Sequence, residues 1–198
     1  MTAIIDYGVG NLFSLTSSFA KIGEEVRVSD DPGVLVQADR IVLPGVGAFG
    51  DAAQKLLASG LTGTLYQEAD AGKPILGICL GMQLLLEKSF EYGEHSGLGL
   101  ISGEVRPIEE QWTDARKNLK IPHMGWNSLR FVPGYEKRHS LFRYLPEESY
   151  VYFVHSYCAV RCPESIIAQT EYGADLTAAI ASRNVMGCQF HPEKSGDA

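Results

Sequence analysis

The chain has 198 residues, of which 45% are hydrophobic and 21% charged, enough apolar material for one globular domain with a sizeable core. A formal net charge of −7 and a pI near 5.2 argue against nucleic acid or an anionic membrane surface as the main partner. No apolar run approaches the ~20 residues that span a bilayer, and residues 1–6 lead into an apolar segment without a basic leader, so the expected setting is the cytoplasm.

In chain order, residues 3–5 predict a first buried strand, which ends in the turn Asp6-Tyr7-Gly8-Val9-Gly10-Asn11. Leu12, Leu15, Phe19 and Ile22 recur at helical spacing, with Asn11 as N-cap and Gly23 as the stop. That turn lacks the third glycine of a dinucleotide fingerprint, since position 13 is Phe13. Residues 25–29 and 40–43 read as two further strands, the latter running into Pro44-Gly45-Val46-Gly47. Helical patterns follow over 50–58 and 62–71, then a strand beginning near Lys73-Pro74-Ile75-Leu76. Strands alternating with helices predict a mostly parallel central sheet flanked by helices, an α/β fold of flavodoxin-like type, with sites at the carboxyl ends of the strands.

The fourth strand delivers Gly77-Ile78-Cys79-Leu80-Gly81-Met82-Gln83, and residues 82–88 carry apolar positions at helical spacing. A cysteine with glycines at i−2 and i+2 between strand and helix reproduces the logic of a nucleophile elbow, with sulfur in place of oxygen. A helix N-terminus favours the reactive thiolate. A small buried cysteine in a core strand would present the same pattern.

Beyond residue 103 the pattern changes to short β-like runs at 104–106, 128–131, 150–154, 166–168, 178–180 and 186–190. These predict an antiparallel β extension of the same domain, packed on its sheet. The polar stretch 109–120 reads as an exposed loop or short helix. Cys79, Cys158, Cys162 and Cys188 form no CxxC pair, so neither a disulfide nor a zinc framework is expected, and no cofactor.

Gln189-Phe190-His191-Pro192-Glu193 closes the last apolar run. In extended chain, His191 and Glu193 fall on one side, so the carboxylate can orient the ring and leave its other nitrogen to a thiol. A solvated surface turn is the alternative. Oxyanion donors are offered by the Leu80 N–H and by the N–H of Val46 or Gly47, unless 44–47 is a plain turn. His95 and His139 lie in polar sequence; His123 and His155 lack a carboxylate at i+2 and suit structural roles.

The three motifs at 44–47, 77–83 and 190–193 resemble those of the class I (triad) glutamine amidotransferases. Residues 4–11, the block Lys120-Ile121-Pro122-His123-Met124-Gly125-Trp126-Asn127, and Tyr152-Phe153-Val154-His155-Ser156-Tyr157 narrow the resemblance to the glutaminase subunits of imidazole glycerol phosphate synthases. It spans residues 4–195 and implies one amidotransferase domain over 1–198. The implied chemistry is attack of Cys79 on the side-chain amide of glutamine, with His191 and Glu193 managing the proton and a glutamyl thioester as intermediate. Gln83, Ser156 and Tyr157 match family positions that hold the glutamine.

The implied partner is a (β/α)₈-barrel cyclase in a heterodimer. It uses the channelled ammonia to make imidazole glycerol phosphate and an aminoimidazole carboxamide ribonucleotide in histidine biosynthesis. Asn11, Trp126, Tyr152 and Lys194 match positions near that interface. Assembly of the oxyanion loop by the partner is the expected regulation. The sequence stops at Gly196-Asp197-Ala198, where the family continues into a terminal helix. A different triad amidotransferase, such as the anthranilate synthase subunit, is the alternative enzyme, and a non-catalytic homologue is the alternative outside catalysis.

Overall fold

In the computed structural model, which describes residues 1–112, 119–132 and 139–196, the apolar runs of the first half form four parallel strands. These are β1 (Thr2–Ile5), β2 (Val26–Ser29), β3 (Arg40–Leu43) and β4 (Ile75–Ile78). Between them lie α1 (Leu12–Lys21), α2 (Pro32–Gln37), α3 (Phe49–Ala58) and α4 (Thr62–Asp70). The side chain of Asn11 caps α1 by accepting from the Ser14 N–H at 3.3 Å, as predicted. Helix α2 was not predicted; Asp31 caps it and Pro32 opens it, a short start signal with too few apolar positions for a period.

After Cys79 comes α5 (Leu80–Leu84), much shorter than the predicted pattern over 82–88. The carbonyls of Leu84, Leu85 and Leu86 accept from the N–H groups of Leu98, Ile101 and Gly99, so the segment leaves the helix and becomes β5 (Lys88–Ser89). Apolar residues there are buried whatever backbone they adopt, which is why spacing alone misread them. Strands β6 (His95–Ser96) and β7 (Glu104–Pro107) follow, then a 3₁₀ turn at Ile108–Gln111. The rest of the predicted polar stretch at 113–118 lies outside the described residues.

The later strands are β8 (His123–Ser128), β9 (Arg130–Phe131), β10 (Tyr150–His155), β11 (Tyr157–Val160), β12 (Ile166–Glu171), β13 (Asp175–Ser182) and β14 (Val185–Cys188). The expected strand over 128–131 is split at Leu129, whose N–H turns to the Ser149 carbonyl, and β8 and β9 join different sheets.

Among the described residues the main sheet has eight strands in the order β2-β1-β3-β4-β14-β13-β12-β9. The first five are parallel, in flavodoxin-like order, and the last three antiparallel. The second half therefore continues the sheet edge to edge, where packing upon it was expected. Ile5 and Ile4 show the two faces: Ile5 packs in a core with Leu43, Phe49 and Leu56, and Ile4 in another with Leu15, Val42 and Phe153. A small sheet, β11-β7-β5-β6, and a two-stranded ribbon, β10-β8, complete the fold.

Candidate active site

Parallel pairing of β4 with β14 sets Cys188 opposite Ile78, so both strands end at the same edge. The Cys79 N–H donates to the Cys188 carbonyl at 2.8 Å, holding the two strand ends together. Cys79 adopts φ +53° and ψ −111°, a conformation that L-residues rarely take, and it sits between β4 and α5. Gly81 permits this because any Cβ there would strike the Leu43 carbonyl. Likewise a Cβ on Gly45 would come within 2.6 Å of the Gly81 nitrogen, so the loop after β3 lies directly against the elbow.

His191 and Glu193 come together beside Cys79. The His191 Nδ1 lies 2.8 Å from Glu193 Oε1, and both side chains are buried. Their approach differs from the extended geometry expected from spacing: Pro192–Lys194 forms a 3₁₀ turn that folds the carboxylate back to the ring. Burial opposes charging of His191, but hydrogen bonds to Cys79 and Glu193 outweigh it and raise its pKa to about 9. An imidazolium at His191 holds its proton directly beside the Cys79 sulfur. Burial holds the other thiols protonated: Cys158 is pushed up to about 12, Cys162 to about 11, and Cys188 well above its ordinary value.

A cavity of about 440 Å³ opens over the sulfur. Cys79, Val46, Gly47, Leu80, Gln83, Ser156, Tyr157, His191 and Lys194 all line it, so every catalytic, oxyanion and glutamine-holding candidate except Glu193 reaches one space. Glu193 stands behind His191.

The interface candidates form a second group. Trp126 on β8 pairs in register with Tyr152 on β10, their rings meeting edge-on at 6.0 Å. Lys194 extends over the Tyr152 ring at 5.9 Å and also lines the cavity, so this group borders the site. Asn11 is exposed at the start of α1, a helix that packs against the Pro192–Lys194 turn.

Sequence reasoning passed over several residues that shape the site. Tyr7, after β1, donates to the Pro44 carbonyl at 2.7 Å from a buried position. Ser195 accepts from the Tyr152 N–H at 3.1 Å and donates to the His191 carbonyl at 2.7 Å, pinning the turn that carries His191. Glu91 brings a carboxylate to the cavity wall. His123 and His155, read from the sequence as suited to structural roles, meet at 2.9 Å in the interior, where burial lowers their pKa values to about 4 and about 3. Hydrogen-bonding groups in turns give no periodic signal; Gln189, buried with its side-chain nitrogen 3.7 Å from the Cys79 sulfur, was marked only by its place in the Gln-Phe-His-Pro-Glu run.

The profile of the glutamine amidotransferase class-I family matches residues 3–198. The chain belongs to this family. It is 49% identical to the imidazole glycerol phosphate synthase subunit HisH of Sulfurimonas denitrificans, over all of this chain and 92% of that protein. It is 48% identical to the subunit of the same name from Methanothermobacter thermautotrophicus, again over all of this chain and 93% of that protein. Solved structures share the fold at low identity. A crystal structure of a glutamine amidotransferase superposes with TM-score 0.72 at 16% identity, covering 96% of this chain and 90% of the other. PurLQS from Thermotoga maritima gives 0.70 at 19%, covering 97% and 87%.

Proposed function

We propose that the chain is the glutaminase subunit of an imidazole glycerol phosphate synthase, releasing glutamate and ammonia from glutamine for histidine biosynthesis. The observation that carries the reading is Cys79 at a positive φ beside the buried His191–Glu193 pair, in a chain 49% identical end to end to such a subunit.

The Cys79 thiolate attacks Cδ of the glutamine side chain. The resulting oxyanion accepts from the Leu80 N–H and from the Val46 or Gly47 N–H. The His191 imidazolium gives its proton to the departing amide nitrogen, which leaves as ammonia, and a glutamyl thioester remains. Neutral His191 then takes a proton from water as it attacks the thioester, the C–S bond breaks, and the products are glutamate, the restored thiolate beside the imidazolium, and one proton released to solvent. Glu193 holds the ring so that one nitrogen always faces the sulfur. Gln83, Ser156 and Tyr157 hold the substrate, and Glu91 offers its carboxylate to the α-ammonium group.

Residues 1–198 act as one amidotransferase domain in the cytoplasm. The partner is a cyclase with a (β/α)₈ barrel, docked near Asn11, Trp126, Tyr152 and Lys194 and fed ammonia directly. Among the described residues no helix is long and apolar enough to cross a membrane. Glutamate release assayed with and without the cyclase and its nucleotide tests the reading. Strong stimulation by the pair is expected. Unchanged release from Cys79→Ala in the stimulated complex would overturn it.

A further inference from the structure

Gln189 follows β14, two residues before His191, and its side chain is fully buried. Its Nε2 lies 3.7 Å from the Cys79 sulfur, and its Oε1 accepts from Gln83 Nε2 at 2.9 Å. Gln83 Nε2 also donates to the Tyr157 carbonyl at 3.2 Å. That carbonyl takes a second bond from His155 Nδ1 at 2.8 Å, so it is held from two sides.

The donor order along this chain has only one solution. A backbone carbonyl accepts and never donates, so the Gln83 group facing Tyr157 must be the NH₂. The same NH₂ points at Gln189, which must therefore answer with its carbonyl oxygen. What remains for the sulfur is the NH₂ of Gln189. A protonated thiol already has its own hydrogen to place, whereas a thiolate needs donors. A donor fixed in this direction by a fully buried side chain favours the anion.

We propose that Gln189 is a donor to the Cys79 thiolate, with Gln83 as the positioning residue that fixes its direction. The inference rests on Cys79 being the nucleophile. It assigns Gln83 a task besides holding substrate: its amide nitrogen is already spent on Tyr157 and Gln189. The titratable groups around the sulfur are His191 and Glu193 from the turn after β14, Cys188 on β14, and Tyr7 after β1, with Glu91 and Lys194 on the cavity wall. His191 supplies the proton partner; Gln189 supplies a neutral donor whose direction does not change with pH.

The test is the pH dependence of Cys79 alkylation by iodoacetamide in the full chain, followed by mass spectrometry. Gln189→Met keeps the length and removes the donor. It should move the pH of half-maximal alkylation upward by about one unit, the size expected when an anion loses a hydrogen bond. It should also lower kcat about tenfold in the complex while KM stays within about twofold. Gln83→Met leaves Gln189 free to rotate and should shift alkylation in the same direction by less. A Gln189→Met profile that superimposes on that of the unsubstituted chain overturns the proposal.

Should Gln189→Met fail to fold, the unsubstituted protein still decides. The Gln189 side-chain amide signals in ¹H–¹⁵N spectra should change when Cys79 is alkylated and follow its titration. Amide signals indifferent to both overturn the proposal. If alkylated protein still releases glutamate with the cyclase present, the nucleophile reading itself has failed, a result independent of how Gln189→Met behaves.

Discussion

Tyr7 donates its hydroxyl hydrogen to the Pro44 carbonyl at 2.7 Å, tying the turn after β1 to the loop after β3. That loop carries Val46 and Gly47 over the Cys79 cavity. Tyr7→Phe keeps the ring and leaves a carbonyl without its partner. The expected cost is about 1–3 kcal/mol of stability, with a fall in kcat that exceeds any change in KM. Thermal unfolding and steady-state glutaminase kinetics in the complex measure both. A variant with full kcat would separate Tyr7 from the oxyanion loop.

Cys79 holds φ +53°, so its side chain is kept in place at a conformational cost. Strain of this kind is worth about 1–3 kcal/mol. Cys79→Gly should therefore melt above Cys79→Ala, the reverse of the usual order for these residues in ordered chain. Both should lose at least about 10³-fold in glutamate release. Calorimetry on the two variants provides the comparison, and equal melting points would mean that the elbow stores no strain.

His191 has its pKa raised from 6.5 to about 9 in the folded protein. The folded state thus binds this proton more tightly than the unfolded chain does. Its stabilising contribution is complete below pH 6.5 and disappears as pH rises through about 9. The unfolding free energy of the unsubstituted chain relative to His191→Gln should shrink across that window, by on the order of 3 kcal/mol at most. Denaturant titrations at pH 6.5 and pH 9 would show it; a constant difference would contradict the His191–Glu193–Cys79 coupling.

The His123–His155 pair acts in the opposite direction. Burial depresses both pKa values, to about 4 and about 3, so below pH 6.5 the unfolded chain takes up protons that the folded chain refuses. Stability should fall as pH drops from 6.5 toward 4. His123 stacks on Tyr172 at 4.0 Å and on Phe153 at 4.9 Å, positions a phenyl ring can fill. His123→Phe should therefore narrow the difference in melting temperature between neutral and acidic buffer. Scanning calorimetry on both chains at the two pH values would reveal whether it does.

Trp126 is 50% exposed, edge-on to Tyr152, with Met124 61% exposed on the same strand. A large aromatic left in water beside a proposed docking surface is a candidate hot spot. Trp126→Ala should weaken cyclase binding about tenfold or more while the melting temperature of the isolated subunit changes little. Titration calorimetry against the cyclase distinguishes this from a purely structural Trp126, for which affinity would hold.

The parts of the fold that could be read in advance share one property: their signal is local. β1 and β3 are unbroken apolar runs, and α1 has its cap, its period and its glycine within a dozen residues. The elbow announces itself through glycines two residues either side of Cys79. His191 and Glu193 were legible as a pair because they are two residues apart, although a 3₁₀ turn and not an extended strand joins them. Leu84, Leu85 and Leu86 misled because burial on all sides erases periodicity. β8 and β9 were misjudged because one apolar residue, Leu129, turns the chain from one sheet to another.

Cys79, with the glycines that let it stand at a strand end, is written in the sequence, as is the His191–Glu193 pair that follows β14. Backbone sterics and short-range spacing determine both. Only the tertiary structure decided that they meet, because β14 enters the sheet beside β4, with Cys188 opposite Ile78. The same pairing brings Gln189 to the sulfur across 110 residues, and the β1–β3 pairing brings Tyr7 to Pro44 across 37. Hydrogen bonds at that separation depend on register and edge order. These are set by how two hydrophobic faces of one sheet are buried, and no local pattern encodes them.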